Sequence, residues 1–419
     1  MLAMAFALNL HAALPPLETV SSTSVTYTIA PSVPILRTTE YLLDNAAVGN
    51  GQTRVRVLLP VGYESGSNYP VVYLLHGFSG GEQSWTNLNA VNDLGDTLET
   101  NTRQANIVFV MPDGDNDFYS DWYEPDYQDR MRNWESYHIE QLIPWVEANF
   151  KVRSDRGGRA VCGLSMGGFG CTTYAARHPD LFAGVFSISG AVDNRLLAGV
   201  GPIPFELLEQ FINLPEIVNI QPDKVWGPFA TDAVRWLGRN PYTLANNLRP
   251  LTVWLGTGLG VLGGAAPGDS EPKAILLEKA VGALNLEFNL KLHNLSIPHT
   301  FLVNPEGTHT GYHFLNWFKQ ALPVMQQTFA ANLGTPTSFD YQAIEPSFGI
   351  FGWHFSPQRD VAEFLYLTEV SLDGLKLKGS GVVEVATPPA YVPGRHYWVL
   401  APGQPGIDVW PNWPQADAA

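Results

Sequence analysis

Basic residues are scarce in this chain: 24 Lys and Arg stand against 40 Asp and Glu, a formal net charge of −16, and no basic cluster occurs anywhere. That excludes a nucleic-acid partner, because neutralising phosphates takes clustered cations. Long apolar runs are missing as well. None approaches the roughly 18 residues that cross a bilayer, so no integral membrane segment is expected. H-E-x-x-H, grouped Cys/His ligands and a P-loop are all absent, which leaves nothing to imply a metal or a nucleotide cofactor. Only two cysteines occur, Cys162 and Cys171. A strand residue and one just past the following turn rarely meet at bridging geometry, so two buried thiols are expected. With 45% apolar and 15% charged residues, the 419-residue chain is globular and long enough for one large domain plus appendages.

What is present centres on Gly158–Cys171, GRAVCGLSMGGFGC. Ala160–Cys162 suits a buried strand, Gly163–Gly167 fits G-x-S-x-G, and a helix-compatible segment, Thr172–Arg177, follows. A serine on so tight a strand-to-helix turn needs small neighbours. Such a pattern reads either as a nucleophile elbow at Ser165 or as a plain glycine-rich loop, and the rest of the chain decides.

In order, residues 1–35 read as a leader: an apolar, small-residue-rich stretch, Leu2–Ala13, resembling the core of a secretory signal without a preceding Lys or Arg, then an extended Ser/Thr/Pro segment. Secretion is the resulting expectation. Thr39–Leu43 and Thr53–Leu59 read as strands joined at Asn50–Gly51, a strong hairpin pair. Val71–Leu75, Ile107–Met111, Gly184–Ser189, Leu251–Leu255 and Thr300–Val303 are apolar runs suited to strands buried on both faces. Helical spacing covers Tyr137–Phe150, with Pro144 as an irregularity, and Lys273–Leu284. Residues 191–249 are long enough to cap one end of a sheet. The alternation predicts a mostly parallel α/β sheet with an antiparallel start across 36–334, and a β-rich region over 335–419.

A serine nucleophile needs a base, and the base needs an orienting acid, in the chain order Ser, Asp/Glu, His. Among ten histidines, His309 follows the last core strand directly, whereas His293 and His299 precede it and His313 falls within the helix starting at Gly311. Asp269, Glu271 and Glu278 compete for the acid: the first two share a turn, where local backbone hydrogen bonding is the alternative use, and Glu278 sits on a helix. An oxyanion hole needs two backbone N–H groups. Met166 supplies one candidate, and Phe78, in the Gly77-Phe78 turn, the other. Gly258–Gly263 matches G-x-G-x-x-G but runs on into Ala265, Ala266 and Pro267 instead of a helix, so dinucleotide binding is rejected.

VVYLLHG (Val71–Gly77), FYSDWY (Phe118–Tyr123), GLSMGG (Gly163–Gly168), WGP (Trp226–Pro228) and GTH (Gly307–His309) occur in that order. Together, over residues 38–328, they resemble the α/β-hydrolase esterases that include tributyrin- and feruloyl-type esterases and the secreted mycobacterial mycolyltransferases. The resemblance implies an α/β-hydrolase fold and hydrolysis or transfer of an acyl group from a small-molecule, lipid or aryl ester, with no cofactor. It selects Glu278, in LLEKAV (Leu276–Val281), as the acid. His76 and Ser79 stand where the mycolyltransferases carry an acidic residue and an arginine implicated in holding a trehalose lipid. His76, Tyr119 and Trp122 are the expected substrate contacts, the aromatics lying near the site where they would line an acyl or aryl pocket, although for Phe118, Tyr119 and Trp122 core packing is the competing use.

Overall fold

The computed structural model describes residues 14–25, 37–49, 51–88, 95–201, 205–213, 220–261, 264–389, 397–399 and 407–409. Most of the leader, Asn50 and Gly263 thus lie outside the described residues.

The continuous apolar runs become the middle of a nine-stranded sheet. Its strands are β1 (Glu18–Ser24), β2 (Arg37–Asn45), β3 (Gly51–Leu59), β4 (Val71–Leu75), β5 (Val108–Pro112), β6 (Arg159–Leu164), β7 (Gly184–Ile188), β8 (Thr252–Gly258) and β9 (His299–Asn304). The spatial order is β1-β2-β3-β5-β4-β6-β7-β8-β9. The first three strands and the β3/β5 pair run antiparallel, and every later pair is parallel. Helices pack on both faces, so successive residues of β4 fall into opposite cores: Val71, Tyr73 and Leu75 on one side, Val72 and Leu74 on the other. This is why those strands show no polar alternation. Part of the stretch read as a leader is instead the edge strand β1, all of whose residues are exposed. A polar strand exposed along its length carries no periodicity signal in the sequence.

Pro144 explains the irregular helix. Lacking an N–H, it sits in the first turn of the helix Ile143–Asn149, and the chain reaches it through a π-turn, Tyr137–Leu142.

Among the described residues beyond Pro336, Tyr397–Val399 and Ile407–Val409 form a two-stranded pair, and the six strands before them form two three-stranded antiparallel sheets around their own apolar cluster. They dock through polar groups. Arg177 donates to Glu135 at 2.6 Å and to Glu345 at 2.5 Å, the Tyr341 hydroxyl donates to the Arg177 carbonyl at 2.6 Å, and Asn247 exchanges hydrogen bonds with the Gln342 backbone. Arg156 donates to the carbonyls of Pro250, Leu333 and Gly334. Burial alone would raise the carboxyls of Glu135 and Glu345, but the Arg177 guanidinium outweighs it and holds both below the usual range. Because the folded-state values are depressed, this stabilisation is complete above the unfolded carboxylate value of about 4.3 and is lost as pH falls through the folded values. The melting temperature is therefore expected to drop as pH is lowered from about 5 to 3, and less steeply in Glu345→Gln. Parallel pH profiles for the two proteins would refute that account.

Candidate functional site

Everything at the carboxyl end of the sheet converges on the turn between β6 and the helix Met166–Arg177. Ser165 sits there at φ 56°, ψ −119°, a conformation that costs on the order of 1–3 kcal/mol outside glycine. Tertiary contacts hold it: its N–H donates to the Ile188 carbonyl at 2.9 Å, and its carbonyl accepts from Gly168, Phe169 and Ala191. Glycine is required on both sides. A Cβ on Gly163 would lie 2.0 Å from the Gly167 carbonyl oxygen, and one on Gly167 would lie 2.2 Å from that of Leu75. The G-x-S-x-G spacing is thus a packing requirement of this turn.

The structure brings Ser165, His309 and Glu278 together. His309 Nε2 is 2.8 Å from Ser165 Oγ, and His309 Nδ1 is 2.6 Å from Glu278 Oε2. Glu278 is fully buried in the helix Pro272–Asn294. Its other oxygen accepts from the Ser189 hydroxyl at 2.7 Å, the Thr257 hydroxyl at 3.2 Å and the Gly258 N–H at 2.5 Å. Four hydrogen-bond contacts thus converge on the two oxygens of this one side chain. Asp269 is elsewhere, bonded to Thr308 and His313. Three other histidines are spent on other partners: His138 on Tyr174, His178 on Glu135, His299 on Asn289.

The rejected glycine motif has a physical role. A Cβ on Gly258 would sit 2.2 Å from the Gly307 carbonyl oxygen, and Gly260, at φ 58°, donates its N–H to that same oxygen at 3.0 Å. These glycines let the end of β8 touch the His309 loop.

Facing Ser165 is the turn after β4. A Cβ on Gly77 would meet the Ser165 Cβ at 3.2 Å, so the Gly77-Phe78 backbone runs directly beside the serine. Neither the Phe78 nor the Met166 N–H has a hydrogen-bond partner among the described residues. The loop is held from behind. His76 Nε2 accepts from the Gly114 N–H at 2.9 Å, which puts the ring proton on Nδ1, where it meets the Gly77 carbonyl at 2.8 Å. The Tyr119 hydroxyl donates to the His76 carbonyl at 2.8 Å, and the Asn116 side chain accepts from the Ser79 N–H at 2.6 Å.

That arrangement corrects two expected substrate contacts. His76 is 1% exposed and Tyr119 is 0% exposed, with their polar atoms engaged by backbone, so both are scaffold for the loop. Tyr119 fits because Gly114 and Gly170 leave room for its ring, and burial pushes its hydroxyl well above the usual tyrosine range. Trp122 is half-buried, its ring 5.8 Å from the Arg132 guanidinium, and its buried indole N–H has no partner among the described residues. Phe118 packs between Phe78, Phe169 and Trp226, at 5.3–6.3 Å between ring centroids. Phe118 and Tyr119 both adopt φ 53°, uncommon for bulky residues. Sequence reasoning missed Ser189 and Thr257 as partners of Glu278; single hydroxyls at strand ends carry no motif.

With this geometry in place, comparison with known proteins is informative. The chain is 34% identical to the Mycobacterium tuberculosis esterase Rv1288 over 273 residues, 64% of this chain, and spans about half (54%) of that relative's length. It is 29% identical over 285 residues to the diacylglycerol acyltransferase/mycolyltransferase Ag85A of Mycobacterium leprae, covering 64% of this chain and 78% of that one. An S-formylglutathione hydrolase from Agrobacterium tumefaciens superposes with a TM-score of 0.53 at 16% identity, over 74% of this chain and 99% of that one; at that identity the likeness speaks for the α/β-hydrolase fold alone. The esterase family model matches residues 46–329, more than half of the sequence and all of the residues gathered around Ser165, and the chain belongs to that family.

Proposed function

We propose that this protein is a secreted serine carboxylesterase in which Ser165, His309 and Glu278 form a catalytic triad on a nucleophile elbow. The observation that carries the reading is the continuous chain of short contacts from Ser165 Oγ through the His309 ring to the buried Glu278. His309 Nε2 takes the Ser165 proton as Oγ attacks the ester carbonyl carbon. Glu278 fixes the tautomer that leaves Nε2 free to do so and balances the imidazolium that forms. The oxyanion accepts hydrogen bonds from the Phe78 and Met166 N–H groups, each worth about 2.7–4 kcal/mol to the transition state. The tetrahedral species collapses as His309 passes the proton to the leaving alcohol. Water then attacks the acyl-enzyme, giving its proton to His309, and the acid leaves as Ser165 regains its hydrogen.

A fluorophosphonate should label Ser165 in the intact protein, and short-chain ester hydrolysis should vanish in Ser165→Ala. An unlabelled serine with an unaffected mutant would sink the proposal. Similarity to a named acyltransferase supports a second reading, in which a sugar or lipid hydroxyl replaces water on the same acyl-enzyme. Adding hydroxyl acceptors and measuring ester against free acid separates the two, since only transfer makes acceptor-dependent product.

Trp122 is retained as a substrate contact in this proposal through the part of its ring that stays exposed. The extracellular location rests on the composition of Leu2–Ala13. Deleting residues 2–13 should move the protein from the culture medium into the cells. Among the described residues no helix is long and apolar enough to cross a membrane.

A further inference from the structure

The carboxylate that does not pair with His309 is bonded to residues on either side of it. Asp269 Oδ1 accepts from the Thr308 hydroxyl at 2.8 Å and from His313 Nε2 at 2.8 Å, while Oδ2 accepts from the Ala266 N–H at 2.7 Å. Thr308 immediately precedes His309, and His313 lies in the first turn of the helix Gly311–Ala331. One carboxylate therefore grips the chain on both sides of His309. All three side chains are at least nine-tenths buried: Asp269 is 7% exposed, Thr308 1% and His313 6%.

The tie adds to packing on the same loop: the His309 ring lies edge-on to Phe314 at 4.9 Å between centroids, and Gly307 runs against the Trp317 ring. A cavity of about 220 Å³ is bordered by Asp269 and His313 together with Glu306, Tyr312, Asn316 and Trp317. Toward Ser165 the loop is fixed by backbone contacts, His309 N–H to the Ala274 carbonyl at 3.1 Å and Gly260 N–H to the Gly307 carbonyl at 3.0 Å. On the other side, the side-chain hydrogen bonds from Thr308 and His313 to Asp269 hold it. Burial opposes the charge on Asp269, but the Thr308, His313 and Ala266 donors outweigh it and hold its carboxyl below the usual range. It is thus an ionised, acceptor-only anchor at neutral pH.

We propose that Asp269, through Thr308 and His313, is a positioning residue that holds His309 at hydrogen-bonding distance from both Ser165 and Glu278. The inference rests on the serine-esterase reading for its catalytic readout but not for its structural one. A small displacement of a catalytic group costs on the order of 10²-fold in rate, so Asp269→Asn and the isosteric Thr308→Val are each expected to lower kcat about 10–100-fold. KM should stay within about threefold of wild type, the signature of a contribution confined to the transition state. The rate of phosphonate labelling at Ser165 should fall with kcat. Thr308→Ser, which keeps the hydroxyl, should restore near-wild-type kcat.

The downfield proton resonance of the His309 Nδ1–H, which reports the 2.6 Å contact with Glu278, should be sharp in wild type and Thr308→Ser. It should be broadened or lost in Thr308→Val and Asp269→Asn. Melting temperatures taken on the same samples separate positioning from unfolding. If both variants lose only thermal stability, with kcat, labelling and the resonance unchanged, the tie is merely structural and the proposal falls. It also falls if Asp269→Asn is as dead as Ser165→Ala while Glu278→Gln stays active, since Asp269 would then be the acid itself. If Ser165 of the wild type is never labelled yet the resonance responds as described, the esterase reading fails and the positioning role stands.

Discussion

Ser165→Ala is expected to lose about 10⁴–10⁶-fold in kcat for ester hydrolysis, with a melting temperature close to wild type. The alanine removes one hydroxyl from a site whose backbone is pinned by its own N–H and by three donors to its carbonyl, so the fold has little reason to notice. His309→Gln should cost a similar factor, because without a base Oγ stays protonated. The two effects should not add. A Ser165→Ala/His309→Gln double mutant is expected to match the worse single mutant, since the second change removes a partner whose work is already gone. Residual activity above the uncatalysed rate would come from the free Phe78 and Met166 amides, which neither substitution touches. Additive losses in the double mutant would mean that the two residues do not act as a unit.

Glu278→Gln is the second large effect, and its cause is a tautomer. The carboxylate accepts three donors on one oxygen, from Ser189, Thr257 and Gly258, and the His309 Nδ1–H on the other. A glutamine has one acceptor oxygen. Three donors claim it, so the amide NH₂ turns to His309. That forces the ring proton from Nδ1 to Nε2, where it points at Ser165 and blocks proton uptake. The expected loss is about 10⁴-fold in kcat, with little change in KM or melting temperature because the three structural hydrogen bonds survive. Glu278→Ala should behave differently: it leaves the Ser189 and Thr257 hydroxyls and the Gly258 N–H unsatisfied in the core, at roughly 1–3 kcal/mol for each stranded group. A stable, active Glu278→Gln enzyme would remove Glu278 from the mechanism.

What the sequence made legible follows from physical causes. Strands buried on both faces announce themselves as unbroken apolar runs, so β4 to β8 could be placed within a few residues. The turn around Ser165 was legible because only glycine fits at positions 163 and 167. Local patterns carry no information about meetings at long range. The pairing of Glu278 with His309 spans 31 residues and depends on how a helix lies across the end of β8. From the residues alone Asp269 was an equal candidate, and the family resemblance was needed to choose. His76 and Tyr119 were misplaced for the opposite reason. A polar or aromatic residue beside a reactive motif looks the same in sequence whether its side chain faces a ligand or props up the loop from behind. Burial decides that, and burial of a histidine becomes visible only once its backbone partners, here Gly114 and Gly77, are in position.

The helix Met166–Arg177 has two ends with different dependents. Ser165 sits at the first, and at the last Arg177 bridges Glu135 to Glu345. Glu345 lies beyond residue 329, where the family match stops. Homology therefore draws its line through the middle of an ion-pair network, on the near side of the residues that complete it. A fragment trimmed to that line would strand Arg177, Asn247 and Arg156 with part of their buried hydrogen bonds unanswered, and is expected to melt at a lower temperature than the full chain.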